Sequence, residues 1–415
     1  MSTIFRAAWV CPVAQAPVRD GWVEVEDGRI TRVGGEPDAP PGGSVRDLGR
    51  VALMPGVVNA HTHLELSGLR GNVPPAAVFT DWVKQLMAVR GGRRERADDQ
   101  SMIDASRSGC REAREFGTAL IGDITNSLTS IIPLLNHGLR GLVFHELLGF
   151  NLAHGRSVAD TAAARQQAKT EGGNRVKVSL APHAPYSVSP ELFTAIRAAV
   201  DANDPPIMSV HLAESDGEVQ FLESGTGPWP GLLRLVGSWR DDWPTPGCGP
   251  VEYLDRMHML DSGTLVVHGV HLGREALSRL ATLGCTVVTC PRSNQWVGAG
   301  APPIARFYES GVRVAVGTDS LASVDDLNIF AELKTMRSLA PGVPAATLLH
   351  SATLAGAEAL GFASEIGSIE PGKAAELIAI ELPSTLDRQV AAPAIAVEEF
   401  LVSGITARQI AWVTA

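Results

Sequence analysis

Two histidines one residue apart close an apolar run, Met54-Pro55-Gly56-Val57-Val58-Asn59-Ala60-His61-Thr62-His63. On extended backbone, residues i and i+2 point to the same side. His61 and His63 would therefore project together from the C-terminal end of a buried strand. Two neutral imidazoles placed that way suit a divalent metal. A lone His-x-His pair is often incidental, but later apolar runs end in matching residues. Asp123, the pair His145 and Glu146, His183, His211 with Glu214, His268, the segment Cys290-Pro291-Arg292-Ser293-Asn294, and Asp319 follow in turn. Any one of these histidines is more often structural than ligating; the repeated placement points to one shared site. A catalytic zinc site has three or four N/O ligands and an open position. His61, His63, His211 and Asp319 supply such a set without thiolates. Water activated there attacks near neutral pH, so hydrolysis or hydrolytic deamination is the expected chemistry.

The elements that must position these groups form an alternating pattern. Eight β-branched runs are expected as strands: Leu53–Ala60, Thr118–Ile124, Gly141–Phe144, Lys177–Ala181, Pro206–Val210, Thr264–Val267, Thr286–Thr289 and Val312–Gly317. Helices are expected between them, among them Val78–Val89, Pro190–Val200, Ala276–Leu283 and Ile329–Arg337. Strand–helix alternation predicts parallel strands, and eight of them predict an α/β (β/α)8 TIM barrel. Side chains at the C-terminal strand ends of such a barrel carry its chemistry. The Gly-, Pro- and Trp-rich stretch from Gly225 to Pro250 breaks the pattern. It is expected to be a long βα loop at the catalytic face. Short strand signals flank the whole: residues 4–5, 22–25 and 29–33 at one end, 375–380 and 409–413 at the other. They predict a small β-sandwich domain from 1–52 plus 366–415, with the barrel spanning 53–365.

Of the 415 residues, 45% are hydrophobic, which allows a large core. The formal net charge of −10 comes without a long basic run. This argues against nucleic acid as the main partner, because phosphate binding needs a basic face. Five cysteines without a Cys-x-x-Cys pair argue against a disulfide framework or a thiolate zinc site. No apolar run is long enough for a membrane span, and no signal-peptide core is seen. A cytoplasmic location and a small-molecule substrate are the expectations.

The motifs Pro-Gly-x-x-Asn-x-His-Thr-His, His211-x-x-Glu214, His268 and Thr318-Asp319-Ser320 resemble the amidohydrolase superfamily, in its cytosine/adenosine deaminase and chlorohydrolase branch. The resemblance covers almost the whole chain. It implies one divalent metal per chain, zinc first and iron or manganese next, held by His61, His63, His211 and Asp319. It implies that Asp319 takes a proton from the attacking water and that Glu214 passes it to a ring nitrogen. His268 would hydrogen-bond the attacking oxygen, and ammonia would leave. Lysine is absent from the ends of strands three and four, which disfavours the dinuclear members that bridge two metals through a carboxylated lysine. Homodimers are common among such relatives. His183 resembles the ribose-contacting position of adenosine-type members.

The flanks His61-Thr62-His63-Leu64-Glu65-Leu66-Ser67 and Cys290–Asn294 look most like the aminodeoxyfutalosine deaminases of menaquinone biosynthesis. A deaminase acting on the 6-amino group of 6-amino-6-deoxyfutalosine is therefore expected. In that reading Trp82 stacks on an aromatic ring and Glu65 accepts substrate hydrogen bonds. Asn294 and a cation, Arg70, Arg156 or Arg292, complete the substrate contacts. Deaminases of S-adenosylhomocysteine or methylthioadenosine, guanine or cytosine, a triazine chlorohydrolase, and a metal-free scaffold barrel are the alternatives.

Overall fold

The computed structural model describes residues 2–35, 43–91, 100–152, 158–160, 162, 174–388 and 393–414. The chain divides into two compact units. One comprises Met1–Asn59, Glu112–Leu120 and Asn328–Ala415; the other comprises Ala60–Arg111 and Ile121–Leu327.

The first unit is built on strands from both chain ends. Thr3–Val10 (β1), Val18–Glu26 (β2), Arg29–Gly35 (β3), Ser44–Asp47 (β4) and Val51–Pro55 (β5) join Leu377–Glu381 (β14) and Ile410–Val413 (β15). These form a seven-stranded sheet in the order β15-β14-β5-β1-β2-β3, with β4 also on β1. β1 pairs with β4 through Thr3–Arg6 and with β5 through Trp9 and Val10, so one long strand serves two parallel partners. The strands from the two chain ends thus lie in one connected sheet, where two facing sheets of a sandwich were expected. Alternation shows that a segment is extended, but not which neighbour it pairs with. Phe5, Val23, Val25, Ile30, Leu53, Leu377 and Val413 fill the core of this unit.

The expected first barrel strand, Leu53–Ala60, is two strands. Val51–Pro55 pairs with β1 and β14. Val57–Thr62 (β6) belongs to a different sheet. Gly56 is the joint. A Cβ there would lie 2.7 Å from the Ala119 Cβ and 3.2 Å from the Gly117 carbonyl oxygen, so only glycine fits this close approach. The apolar run continues on both sides of Gly56, so hydrophobic periodicity hides the switch.

Seven further strands occupy positions read from the sequence. They are Thr118–Thr125 (β7), Arg140–Leu147 (β8), Val176–Pro182 (β9), Met208–Leu212 (β10), Thr264–His268 (β11), Thr286–Thr289 (β12) and Arg313–Val316 (β13). They make two four-stranded sheets, ordered β6-β7-β8-β9 and β10-β11-β12-β13. The pairs β8–β9, β10–β11, β11–β12 and β12–β13 are parallel. β6, β7 and β8 are buried at every position, as expected of parallel strands covered on both faces. At the sheet edges, the His211 amide donates to the His183 carbonyl at 2.9 Å. The Thr318 and Asp319 amides donate to the His61 carbonyl at 3.1 and 3.0 Å.

Helices Phe79–Arg90 (α1) and Pro190–Val200 lie where the sequence predicts them. The stretch from Gly225 to Pro250 is not one loop. It contains the helix Trp229–Leu235, started by Pro228 and Pro230, proline being suited to a helix N-terminus. All five cysteines are buried and none is in a disulfide. No helix among the described residues is long and apolar enough to cross a membrane.

Candidate active site

The strand ends converge within the second unit. His61 and His63 leave β6, and His211 leaves β10; one ligand nitrogen from each lies within 4.8 Å of the others. Asp319 Oδ1 approaches His63 Nε2 at 3.5 Å and His61 Nε2 at 3.8 Å. Backbone bonding explains why these groups meet: the His61 carbonyl receives the Thr318 and Asp319 amides. Thr62 Oγ1 also donates to the Asp319 carbonyl at 2.8 Å. A Cβ on Gly317 would lie 2.7 Å from the His61 carbonyl oxygen, so the two strand ends approach closely only because this residue is glycine.

These residues fit a divalent ion. Both ring nitrogens of fully buried His61 lack a hydrogen-bond partner, an arrangement that is costly in a packed interior unless something else binds them. Burial, then the neighbouring imidazoles, holds the His61 pKa well below its usual value. Burial likewise lowers His63 to about 3 and His211 to about 4. All three are therefore neutral at pH 7, the form that ligates metal. The His211 Nδ1 hydrogen bonds to the His183 carbonyl at 3.0 Å, leaving Nε2 as the ligand atom.

Three non-glycine residues here have left-handed backbone: Ala213 at φ 51°, His268 at 72° and Asp319 at 60°. Such strain persists only when surrounding structure imposes it. Around Asp319 the Ser320 amide donates to Oδ1 at 2.8 Å, and Ser293 Oγ donates to Oδ2 at 2.6 Å. Beside Glu214, the carboxylate of Glu218 accepts the Ala213 and Glu214 amides at 2.9 and 3.2 Å. Glu218 is a positioning residue that sequence reasoning passed over. Its only signal is its place in the first turn of Asp216–Ser224, after the cap Ser215.

Glu214 Oε1 lies 3.5 Å from His268 Nε2. Burial, then the Asp319 and Glu218 charges, pushes the Glu214 carboxyl well above the usual carboxylate range. Asn294 Nδ2 donates to His268 Nδ1 at 2.9 Å, which leaves the proton of the neutral ring on Nε2, facing Glu214. Asn294→Ala is expected to lower kcat roughly 10- to 100-fold, the size typical of losing an orienting partner, with KM little changed. Steady-state kinetics checks this. A lower unfolding temperature with kcat intact would assign Asn294 a purely structural role.

These groups border a cavity of about 280 Å³. Of the residues expected to contact substrate, Trp82 and His183 line it. Ser187 Oγ donates to the Ala184 carbonyl and so accepts from His183 Nδ1 at 2.6 Å, which leaves His183 Nε2 as an acceptor. Three others lie outside the lining because other partners hold them. Glu65 accepts from Thr125 Oγ1, Ser127 Oγ and the Asn126 amide. Arg292 donates to the Asp326 carboxylate and carbonyl at 2.7 and 2.8 Å. Asn294 sits behind His268. Arg70 is likewise absent from the lining, and Arg156 falls outside the described residues. Glu146, at the end of β8, does line the cavity; its Oε1 is buried without a hydrogen-bond partner. Its strand-end position was the signal that it shares with the other site residues.

Much of the remaining lining is apolar. Tyr186 and Trp229 stack at 3.5 Å between ring centroids with an interplanar angle of 15°. Phe79, Phe150, Leu232 and Leu233 extend this wall.

Residues 52–406 match the model of the amidohydrolase family. A 5-methylthioadenosine/S-adenosylhomocysteine deaminase of Moorella thermoacetica is 29% identical over 90% of this chain and 84% of its own. An aminodeoxyfutalosine deaminase of Deinococcus radiodurans is 30% identical over 74% of this chain and 73% of its own. The crystal structure of an adenosine deaminase from Xanthomonas campestris with bound zinc superposes with a TM-score of 0.82 at 28% identity, covering 98% of this chain and 90% of that one. The chain belongs to the amidohydrolase family.

Proposed function

We propose that this protein is a metal-dependent deaminase of the 6-amino group of an adenine nucleoside, with 6-amino-6-deoxyfutalosine as its substrate. The chain is a hydrolase of C–N bonds. The observation that carries the reading is the convergence of Glu214, His268 and Asp319 on three neutral imidazoles beside an aromatic-walled cavity. His61, His63, His211 and Asp319 would hold one divalent ion, zinc first. When bound, that ion supplies Lewis-acid activation of water at neutral pH.

The protein's own groups move the protons. Asp319, held by Ser293 and the Ser320 amide, takes a proton from the attacking water. Glu214 delivers a proton to the purine nitrogen beside the amino-bearing carbon, making that carbon electrophilic. His268 donates from Nε2 to the attacking oxygen as charge develops. Asp319 then gives its proton to the amino group, the C–N bond breaks and ammonia leaves, while the hydroxyl proton passes to Glu214 as the ring carbonyl forms. His183 Nε2 and Glu146 face the cavity as acceptors for sugar hydroxyls.

The edge hydrogen bonds His211–His183 and Asp319–His61 support closure of β6–β13 into a (β/α)8 barrel, with 53–365 as barrel and 1–52 plus 366–415 as β domain. The Deinococcus relative and the aromatic wall support the aminodeoxyfutalosine reading. The Moorella relative, which matches more of the chain, favours a second reading: methylthioadenosine or S-adenosylhomocysteine.

Zinc-loaded protein is to be assayed for ammonia release and for loss of adenine absorbance. The panel holds aminodeoxyfutalosine, methylthioadenosine, S-adenosylhomocysteine, guanine and cytosine. The highest kcat/KM is expected on aminodeoxyfutalosine. A higher value on either sulfur nucleoside transfers the assignment to it, and turnover confined to guanine or cytosine rejects the adenine nucleoside class.

A further inference from the structure

We infer that Arg90 recognises a carboxylate carried on the 5′ substituent of the nucleoside; this deepens the deaminase reading and rests on it. Phe79, Trp82, Val83, Leu86, Met87 and Arg90 all line the cavity. Their spacing of three, one, three, one and three residues is that of one helical face. The face of α1 turned to the cavity therefore runs from two aromatic rings through aliphatic side chains to a guanidinium. It covers roughly 16 Å at 1.5 Å per residue. Among the described residues that line the cavity, Arg90 is the one lysine or arginine.

A cation in the last turn of a helix also complements the helix dipole. Dipole compensation needs no particular face, however, and Arg90 occupies the face turned to the cavity. The carboxyl groups of the lining, Glu146, Glu214 and Asp319, cannot ion-pair with an anionic substituent.

The chemistry of the anion follows from the wall. A phosphate esterified directly to the 5′ oxygen would sit beside the sugar and leave the rings of Phe79, Trp82 and Trp229 without contact. A carboxylate on an aryl or aliphatic spacer uses both features, the spacer against the apolar wall and the charge on the guanidinium. Arginine meets a carboxylate through two parallel N–H donors, which fixes direction as well as charge.

The test compares wild type, Arg90→Met and Arg90→Lys, all zinc-loaded, on two nucleosides. Aminodeoxyfutalosine carries the carboxylate, and methylthioadenosine is neutral at the 5′ side. The quantity read is the ratio of kcat/KM for the first over the second. Arg90→Met is expected to lower that ratio about 10- to 100-fold, the range for losing a charge-assisted hydrogen-bond pair, with the loss in KM. Arg90→Lys is expected to recover part of it by keeping the charge. A ratio unchanged within about twofold in Arg90→Met, with turnover intact, overturns the role of Arg90 and leaves the deaminase standing. A wild-type preference for the neutral nucleoside overturns the carboxylate assignment. Absence of turnover on both nucleosides overturns the deaminase reading and this inference together.

Discussion

Glu214→Gln is expected to reduce kcat for nucleoside deamination by about 10³-fold or more, within the range supplied by a positioned acid–base group. The substitution keeps the size of the side chain and removes only its capacity to carry a proton. Glu214 is buried and its backbone amide is held by Glu218, so the variant keeps its geometry. Metal content should stay near one equivalent per chain, because Glu214 is not among the clustered ligand nitrogens. Steady-state kinetics with metal analysis on the same sample checks both halves. A variant that retains more than about a tenth of wild-type kcat would remove Glu214 from the proton path. A variant that has lost its metal would show instead that Glu214 supports the ligand cluster.

The second large effect is removal of the metal. Chelation is expected to abolish deamination, with a loss of at least about 10³-fold, and zinc should restore it, because hydroxide at neutral pH depends on the ion. Stability should fall as well. Without an ion, one His61 ring nitrogen that a metal would bind is left buried with no hydrogen-bond partner, at a cost of about 1–3 kcal/mol. A metal present at 1,000 times its dissociation constant adds about 4 kcal/mol to folding stability. A clear drop in unfolding temperature on chelation, reversed by zinc, is the expected signature. Activity that survives chelation with metal content near zero would reject the proposed chemistry outright. Full activity with no thermal shift in either direction would place any ion away from His61.

The two experiments divide the site. The proposed ligand cluster is held by β6, β10 and the turn after β13. The proposed proton path adds the turn after β10 and the end of β11. Asn294 and Glu218 belong to neither chemistry, yet each fixes a group that does, the first through His268 Nδ1 and the second through the Ala213 and Glu214 amides. Losses on mutating them should therefore appear in kcat before they appear in metal content.

Much of this was legible in the residues alone, for a local reason. His-x-His at the end of an apolar run, His-x-x-Glu after another and Asp319 after a third follow from strand periodicity, which depends on immediate neighbours. The strand positions of β7 to β13, the helix Pro190–Val200 and the absence of paired cysteines followed from the same kind of signal. Tertiary structure decided the rest. Whether Val51–Pro55 continues into Val57–Thr62 depends on which sheet each segment meets, and Gly56 marks the switch only through its contacts with residues 117 and 119. Glu65 and Arg292 are polar residues beside site motifs, and their types could equally serve a ligand. They are held by Thr125, Ser127 and Asp326, whose partnership is settled by folding. Arg90 reads as an ordinary helix-terminal cation until the opposite face of α1 is seen to be the one away from the cavity. A local pattern shows what a side chain can do; what it touches is decided by segments far away in the chain, because burial and charge pairing are properties of the packed whole.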